Sequence, residues 1–223
     1  EVFVEAESFH DRRGELGGSH EWVVSSGSDV SNGEYVEGAS NDGTNFDGDE
    51  RAPVLNYTID FSEPGDYVVW ARMEEGSLGG SSDSIQVGLD GGPIVDDGSV
   101  GFSAPGSWDW TDDDDTTVTV DVPSAGRHTL NVYMRESGTR LDKLYLVEES
   151  DSAEPSGYSQ PESPNYDLDP GVISRPPLDA RPSLGFAETV PGRVRADGAR
   201  PPLGSSAVPA RAVEPGSTRG GRP

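Results

Sequence analysis

The chain has 223 residues with 41 Asp and Glu, 16 Lys and Arg, and no cysteine, which excludes a disulfide scaffold, a thiol nucleophile and a cysteine-ligated metal site. Its net charge of −25 argues against nucleic acid and anionic membranes as partners, because phosphate surfaces reward Lys and Arg. No run reaches the roughly 18 apolar residues of a membrane helix, and no signal-like segment opens the chain, so no membrane insertion is expected.

Charge and proline divide the chain near residue 150. Residues 1–150 carry 32 acids and 8 bases, with 14 of the 17 aromatics; residues 151–223 carry 9 acids, 8 bases and 13 of the 18 prolines. The reading is a folded domain over 1–149 and a disordered Pro/Gly/Arg-rich tail or linker over 150–223, with no sustained hydrophobic period in the tail. A domain of about 150 residues buries roughly 68–70% of its unfolded surface, enough for one core. The first residue is Glu1, which suggests a processed chain or an excised segment. Lys143 is the sole lysine, and an acidic, lysine-poor surface suits solubility in high salt.

In chain order, residues 2–7 alternate as a strand, with Glu5 and Glu7 predicted on one face, roughly 6.8 Å apart along the backbone. Ser31, Asn32 and Gly33 form a turn signal just before Tyr35. Residues 54–61 place Leu55, Tyr57, Ile59 and Phe61 on one face, and residues 67–73 are apolar at nearly every position, as in a central strand. Trp108 follows a Pro-Gly-Ser loop and reads as more exposed than Trp70, whereas Trp22 and Trp110 read as core. The acids at 112–115 read as a solvated loop. Val118, Val120 and Val122 alternate, and so do His128, Leu130, Val132 and Met134. Asp142 is predicted on the same face as Leu144 and Leu146. Dense Pro and Gly punctuation and the lack of a helical stripe predict about nine strands in a two-sheet antiparallel jelly-roll sandwich.

If the first and last strands lie side by side, Glu5, Glu7 and Asp142 converge. Such carboxylates repel and resist burial unless a hard cation such as calcium joins them, with backbone carbonyls of the 14–21 loop completing the shell. The alternative is that both glutamates are exposed and Asp142 pairs with Lys143 or an arginine. Asn56-Tyr57-Thr58 is a glycosylation sequon in form, but it falls in mid-strand.

The ordered motifs Val4-Glu5-Ala6-Glu7-Ser8-Phe9, Gly33-Glu34-Tyr35-Val36-Glu37-Gly38, Pro64-Gly65-Asp66-Tyr67, Trp108-Asp109-Trp110 and Leu141-Asp142-Lys143-Leu144 resemble the carbohydrate-binding modules of families six and thirty-five, galactose-binding-like jelly rolls. The resemblance covers residues 2–148. It implies a structural Ca2+ on Glu5, Glu7 and Asp142, and a sugar site in the loops with Tyr35 and Trp108 flanking the ring. Thr139 and Arg140 stand where an Asn is common. Arg140 is a candidate for a bidentate contact to a uronic-acid carboxylate.

The function expected is that of a monomeric, non-catalytic, calcium-stabilised module at the cell surface or outside the cell, binding a poly- or oligosaccharide. A structural or adhesion domain is the alternative. A glycosidase or lyase is the least expected, since no nucleophile–base motif appears.

Overall fold

The computed structural model describes residues 1–92, 94, 99–102, 106–112, 117–151 and 153–163. Twelve strands run through them: β1 (Val2–Glu5), β2 (Asp11–Arg13), β3 (Trp22–Ser26), β4 (Glu34–Gly38), β5 (Val54–Phe61), β6 (Gly65–Glu74), β7 (Ser84–Leu89), β8 (Ser99–Gly101), β9 (Asp109–Thr111), β10 (Thr119–Val122), β11 (Gly126–Met134) and β12 (Arg140–Glu148). Short 3-10 turns are the only helical elements among these residues.

The strands form two antiparallel sheets. One is ordered β10-β6-β12-β4-β3, with β1 also pairing β12 and β9 also pairing β6; the other is ordered β2-β5-β11-β7-β8. This is the jelly-roll sandwich that the strand spacing predicts. The inner faces follow the period of two: Leu55, Tyr57, Ile59 and Phe61 of β5 are buried, as are Val69, Ala71 and Met73 of β6 and Leu144 and Leu146 of β12, all in one core. Sheet-on-sheet burial of this kind is the main stabilising term of the fold. Trp22 is in this core and Trp110 is also buried.

The first sheet has a second apolar face. Val68, Trp70, Trp110, Tyr145 and Val147 cluster on the side away from the core, with Phe3 packed against them, and Phe3 stacks on Tyr145 at 4.3 Å. Apolar residues on both faces explain why residues 67–73 read as continuously hydrophobic.

Residues 153–163 accompany this second face. Phe3 donates its N–H to Ser163 Oγ and accepts from Ser163 N, and Glu5 N donates to a carboxylate oxygen of Glu162. These bonds satisfy the edge of β1 not paired with β12, an edge that would otherwise be an open template. Trp110 Nε1 donates to Gly157 O at 2.7 Å. Placing the tail's start at residue 150 therefore separates residues that are bonded to the first strand; backbone partners such as Gly157 O carry no sequence signature. The rest of the tail reading, and the acidic run beyond Asp112, lie outside the described residues.

Candidate functional site

The Tyr35 ring is aimed by the loop between β3 and β4. Asn32 and Gly33 both have positive φ, a conformation that suits Gly and Asn, and they end the loop at the first residue of β4. Opposite, a Cβ on Gly27 would come within 3.2 Å of the Tyr35 ring, so a bare backbone at 27 leaves space for it. Trp108 reaches the same place from the loop before β9. The two rings meet edge-to-face, with centroids 5.2 Å apart and planes at 64°. Both are half-buried, so each keeps surface toward solvent. The corner they form presents an apolar wall of the type that sugar C–H faces stack on.

Behind this corner lies a layer of which the sequence foresaw only, as an alternative, that Asp142 pairs with an arginine. The Arg72 guanidinium lies 5.8 Å from the Trp108 ring and 3.9 Å from the Tyr158 ring. Its Nη1 donates to Asp142 Oδ2 at 2.6 Å and to Asp29 O at 3.0 Å, and Tyr158 OH donates to Asp29 Oδ1 at 2.9 Å. Arg72 is only 3% exposed. It backs the aromatic corner from inside and is closed off from ligand. One signal was available: a single arginine inside an otherwise apolar strand must find an acid when buried.

Thr139 is not part of the corner, whereas Arg140 lies near enough to Tyr35 to interact with it electrostatically. Thr139 is wholly buried, and its hydroxyl accepts from Ser84 N and donates to Ser84 O across the sandwich. Arg140 pairs with Glu74 at 2.8 Å and Glu37 at 3.4 Å, and its side chain stays 29% exposed. In register, Arg140 lies opposite both glutamates on the neighbouring strands.

The acidic trio is placed differently from the expectation. β1 ends at Glu5, and Glu7 sits in a 3-10 turn, so the two glutamates do not follow strand alternation. A register shift between Leu141 and Lys143 marks a β-bulge at Asp142. The extra residue turns Asp142 away from the inner face, where it was predicted beside Leu144 and Leu146, and leaves it with Lys143 on the second face. Asp142 Oδ1 accepts from Ser31 N at 2.8 Å and Oδ2 is held by Arg72. Glu5 Oε1 accepts from Lys143 Nζ at 2.7 Å and from Ser31 Oγ at 2.8 Å.

Burial, opposed by Arg72, pushes the Asp142 carboxyl up to about 6. Glu7 is pushed up to about 7, mainly by burial, with Glu5, Asp142 and Glu162 adding repulsion. Glu5 Oε2 and Glu7 Oε2 are buried and have no hydrogen-bond partner. Beside Glu5 is a cavity of about 490 Å³ lined by residues of the 30–32 loop and 158–162, with room for water.

A calcium ion takes six to eight oxygens. Here both Asp142 oxygens and one Glu5 oxygen are already engaged, and among the described residues no group of three or more His, Asp or Glu side chains is arranged to hold a metal. The side chains as placed do not fit a divalent ion. The backbone segment beside them is the 29–31 loop, where the expectation had the 14–21 loop. Asn56, the sequon residue, lies within β5 and accepts from Asn131 across the sheet.

Compared with known proteins, residues 2–162 match the model of the glycosyl hydrolase family 115 C-terminal domain. A stretch of 137 residues is 29% identical to uncharacterized protein P23 of Formosa agariphila, covering 51% of this chain and 33% of that protein. The match thus spans a third of that relative's length. Among similar solved structures is a family 35 carbohydrate-binding module from Clostridium thermocellum, at 14% identity and a TM-score of 0.47, covering 66% of this chain and 97% of that one. Another is the CBM6cm-2 module of Cellvibrio mixtus lichenase 5A in complex with cellotriose, at 18% identity and a TM-score of 0.45, covering 66% and 98%.

Proposed function

This chain belongs to the family of glycosyl hydrolase family 115 C-terminal domains, and on that premise we propose that it is a non-catalytic carbohydrate-binding module, appended to a polysaccharide-active protein outside the cell. The observation that carries the reading is the solvent-facing corner of Tyr35 and Trp108, 5.2 Å apart and backed by Arg72. A flat, angled aromatic wall on an ordered sandwich gives a saccharide stacking surface at little conformational cost. Catalysis gains no comparable support. The best-buried acids, Glu5 and Asp142, are held by Lys143 and Arg72, which leaves neither free to move a proton to a substrate.

Binding on this surface is shallow and works as a monomer, with affinity supplied mainly by the two rings. Trp108→Ala is expected to reduce retention on the preferred polysaccharide about tenfold, the equivalent of about 1.4 kcal/mol, while thermal stability changes little. Affinity electrophoresis against a polysaccharide panel measures this. Unchanged retention on every polysaccharide that the wild-type chain binds would move the site elsewhere. Absence of wild-type binding to any glycan would favour the structural or adhesion role, and release of reducing sugar would favour an enzyme.

A further inference from the structure

Lys143 is the only lysine in the chain, and it is 0% exposed. A fully buried lysine is rare unless it is paired. Its ammonium has three donors, and four oxygens surround it. Glu5 Oε1 lies at 2.7 Å, Ser31 Oγ at 3.1 Å and Tyr158 O at 3.2 Å, and Gln160 O is the fourth. These oxygens come from three places: the first strand, the loop before β4, and residues 158–160. The cross-strand register explains how the side chain arrives there. Lys143 lies directly opposite Glu5 on β1 and opposite Arg72 on β6; alternation with the inward Leu144 and Leu146 puts it on this outer face, and the bulge brings Asp142 beside it.

A cation gathering a strand carboxylate, a loop hydroxyl and two backbone carbonyls performs the task for which a divalent ion was expected. The second basic group completes the replacement, since Arg72 neutralises Asp142 and reaches Asp29 O of the same loop. We propose that Lys143, with Arg72 beside it, takes the place of a bound divalent metal in this module. On this account the ammonium is the built-in cross-link that docks residues 153–163 against β1, and the fold needs no calcium. Glu5 Oε2 and Glu7 Oε2 are left without a hydrogen-bond partner, and Glu5 lines the adjacent cavity.

The test uses the intact chain without any glycan, so its outcome is separate from that of the saccharide reading. The wild-type melting temperature is expected to agree within about 1 °C between 5 mM EDTA and 5 mM CaCl2; a rise of about 5 °C or more with calcium overturns the proposal. Lys143→Met keeps the apolar stem and removes the ammonium, leaving Glu5 buried and unpaired. It is expected to lower the melting temperature by about 10 °C and to speed limited proteolysis within residues 153–163 at least tenfold, in EDTA and in calcium alike. A variant with wild-type melting and a protected segment also overturns it. Should Lys143→Met fail to fold, amine labelling of the wild-type chain decides. An N-hydroxysuccinimide ester is expected to label the α-amine alone in the native state and both amines in denaturant, and native labelling of Lys143 at the rate of the α-amine sinks the idea.

Discussion

At the scale of single residues, the arginine inside the apolar strand carries the most consequence. Arg72 and Asp142 form a buried pair, with side chains 4% and 0% exposed. Removing one member of such a pair strands the other charge, at a cost of about 3–5 kcal/mol. Arg72→Met is therefore expected to lower the melting temperature by about 10 °C. It also withdraws the cation from behind Trp108, so glycan affinity falls together with stability, whereas Trp108→Ala lowers affinity alone. The double variant Arg72→Met/Asp142→Asn leaves no uncompensated charge and recovers most of the lost stability. Calorimetry of the two variants checks this, and a double variant no more stable than Arg72→Met would mean that the pair is not what holds this layer. Tyr35 and Trp108 were legible as candidates, by exposure-prone loops and by resemblance. Arg72 was overlooked because its strand reads as core, and a residue's partner across a sheet is not written in its neighbours along the chain.

At the scale of elements, strands were legible wherever one face meets the core. β5 alternates from Leu55 onward, and its four predicted inward residues are all buried. β12 shows where such reasoning stops. A single bulge between Leu141 and Lys143 puts Asp142 on the same face as Lys143, where a regular strand would set the two on opposite faces, and nothing in Arg140-Leu141-Asp142-Lys143 announces it. Residues 153–163 were hidden for another reason: about half of the groups that hold them are main-chain ones, Gly157 O, Tyr158 O, Gln160 O and Ser163 N, and these look alike in any sequence. A chain ending at residue 149 is expected to melt several degrees below one ending at 163, because it bares the edge of β1, the Trp110 indole N–H and the Lys143 ammonium together. Differential scanning fluorimetry of both truncations measures the difference. Equal melting temperatures would return the domain boundary to 149.

At the scale of the whole molecule, most of the excess of acids behind the net charge of −25 lies on the surface. Of the basic residues in the sandwich, Arg72 and Lys143 are buried, while Arg12, Arg51 and Arg127 are exposed; acids such as Asp11, Glu21, Glu34, Asp47, Asp60, Glu63, Asp66 and Asp121 face solvent. Among the described residues four acids (Glu5, Glu75, Glu136 and Asp142) and two bases (Arg72 and Lys143) are buried, so the exterior keeps most of the negative excess and repels itself. Screening acts on the two populations unequally: the Debye length shrinks from about 10 Å at 0.1 M salt to about 3 Å at 1 M, which quenches repulsion between exposed charges but acts much less on buried pairs. Raising KCl from 0.05 M to 2 M is thus expected to raise the melting temperature by several degrees, without the loss that dependence on surface ion pairs would cause. KCl suits the experiment better than a sulfate, because strongly excluded salts stabilise compact states whatever their charge. An equal concentration series in sucrose separates screening from exclusion, since a neutral osmolyte cannot relieve charge repulsion. If the chain melts at the same temperature across the KCl series, surface repulsion is not limiting its stability, and adaptation to high salt loses its physical basis.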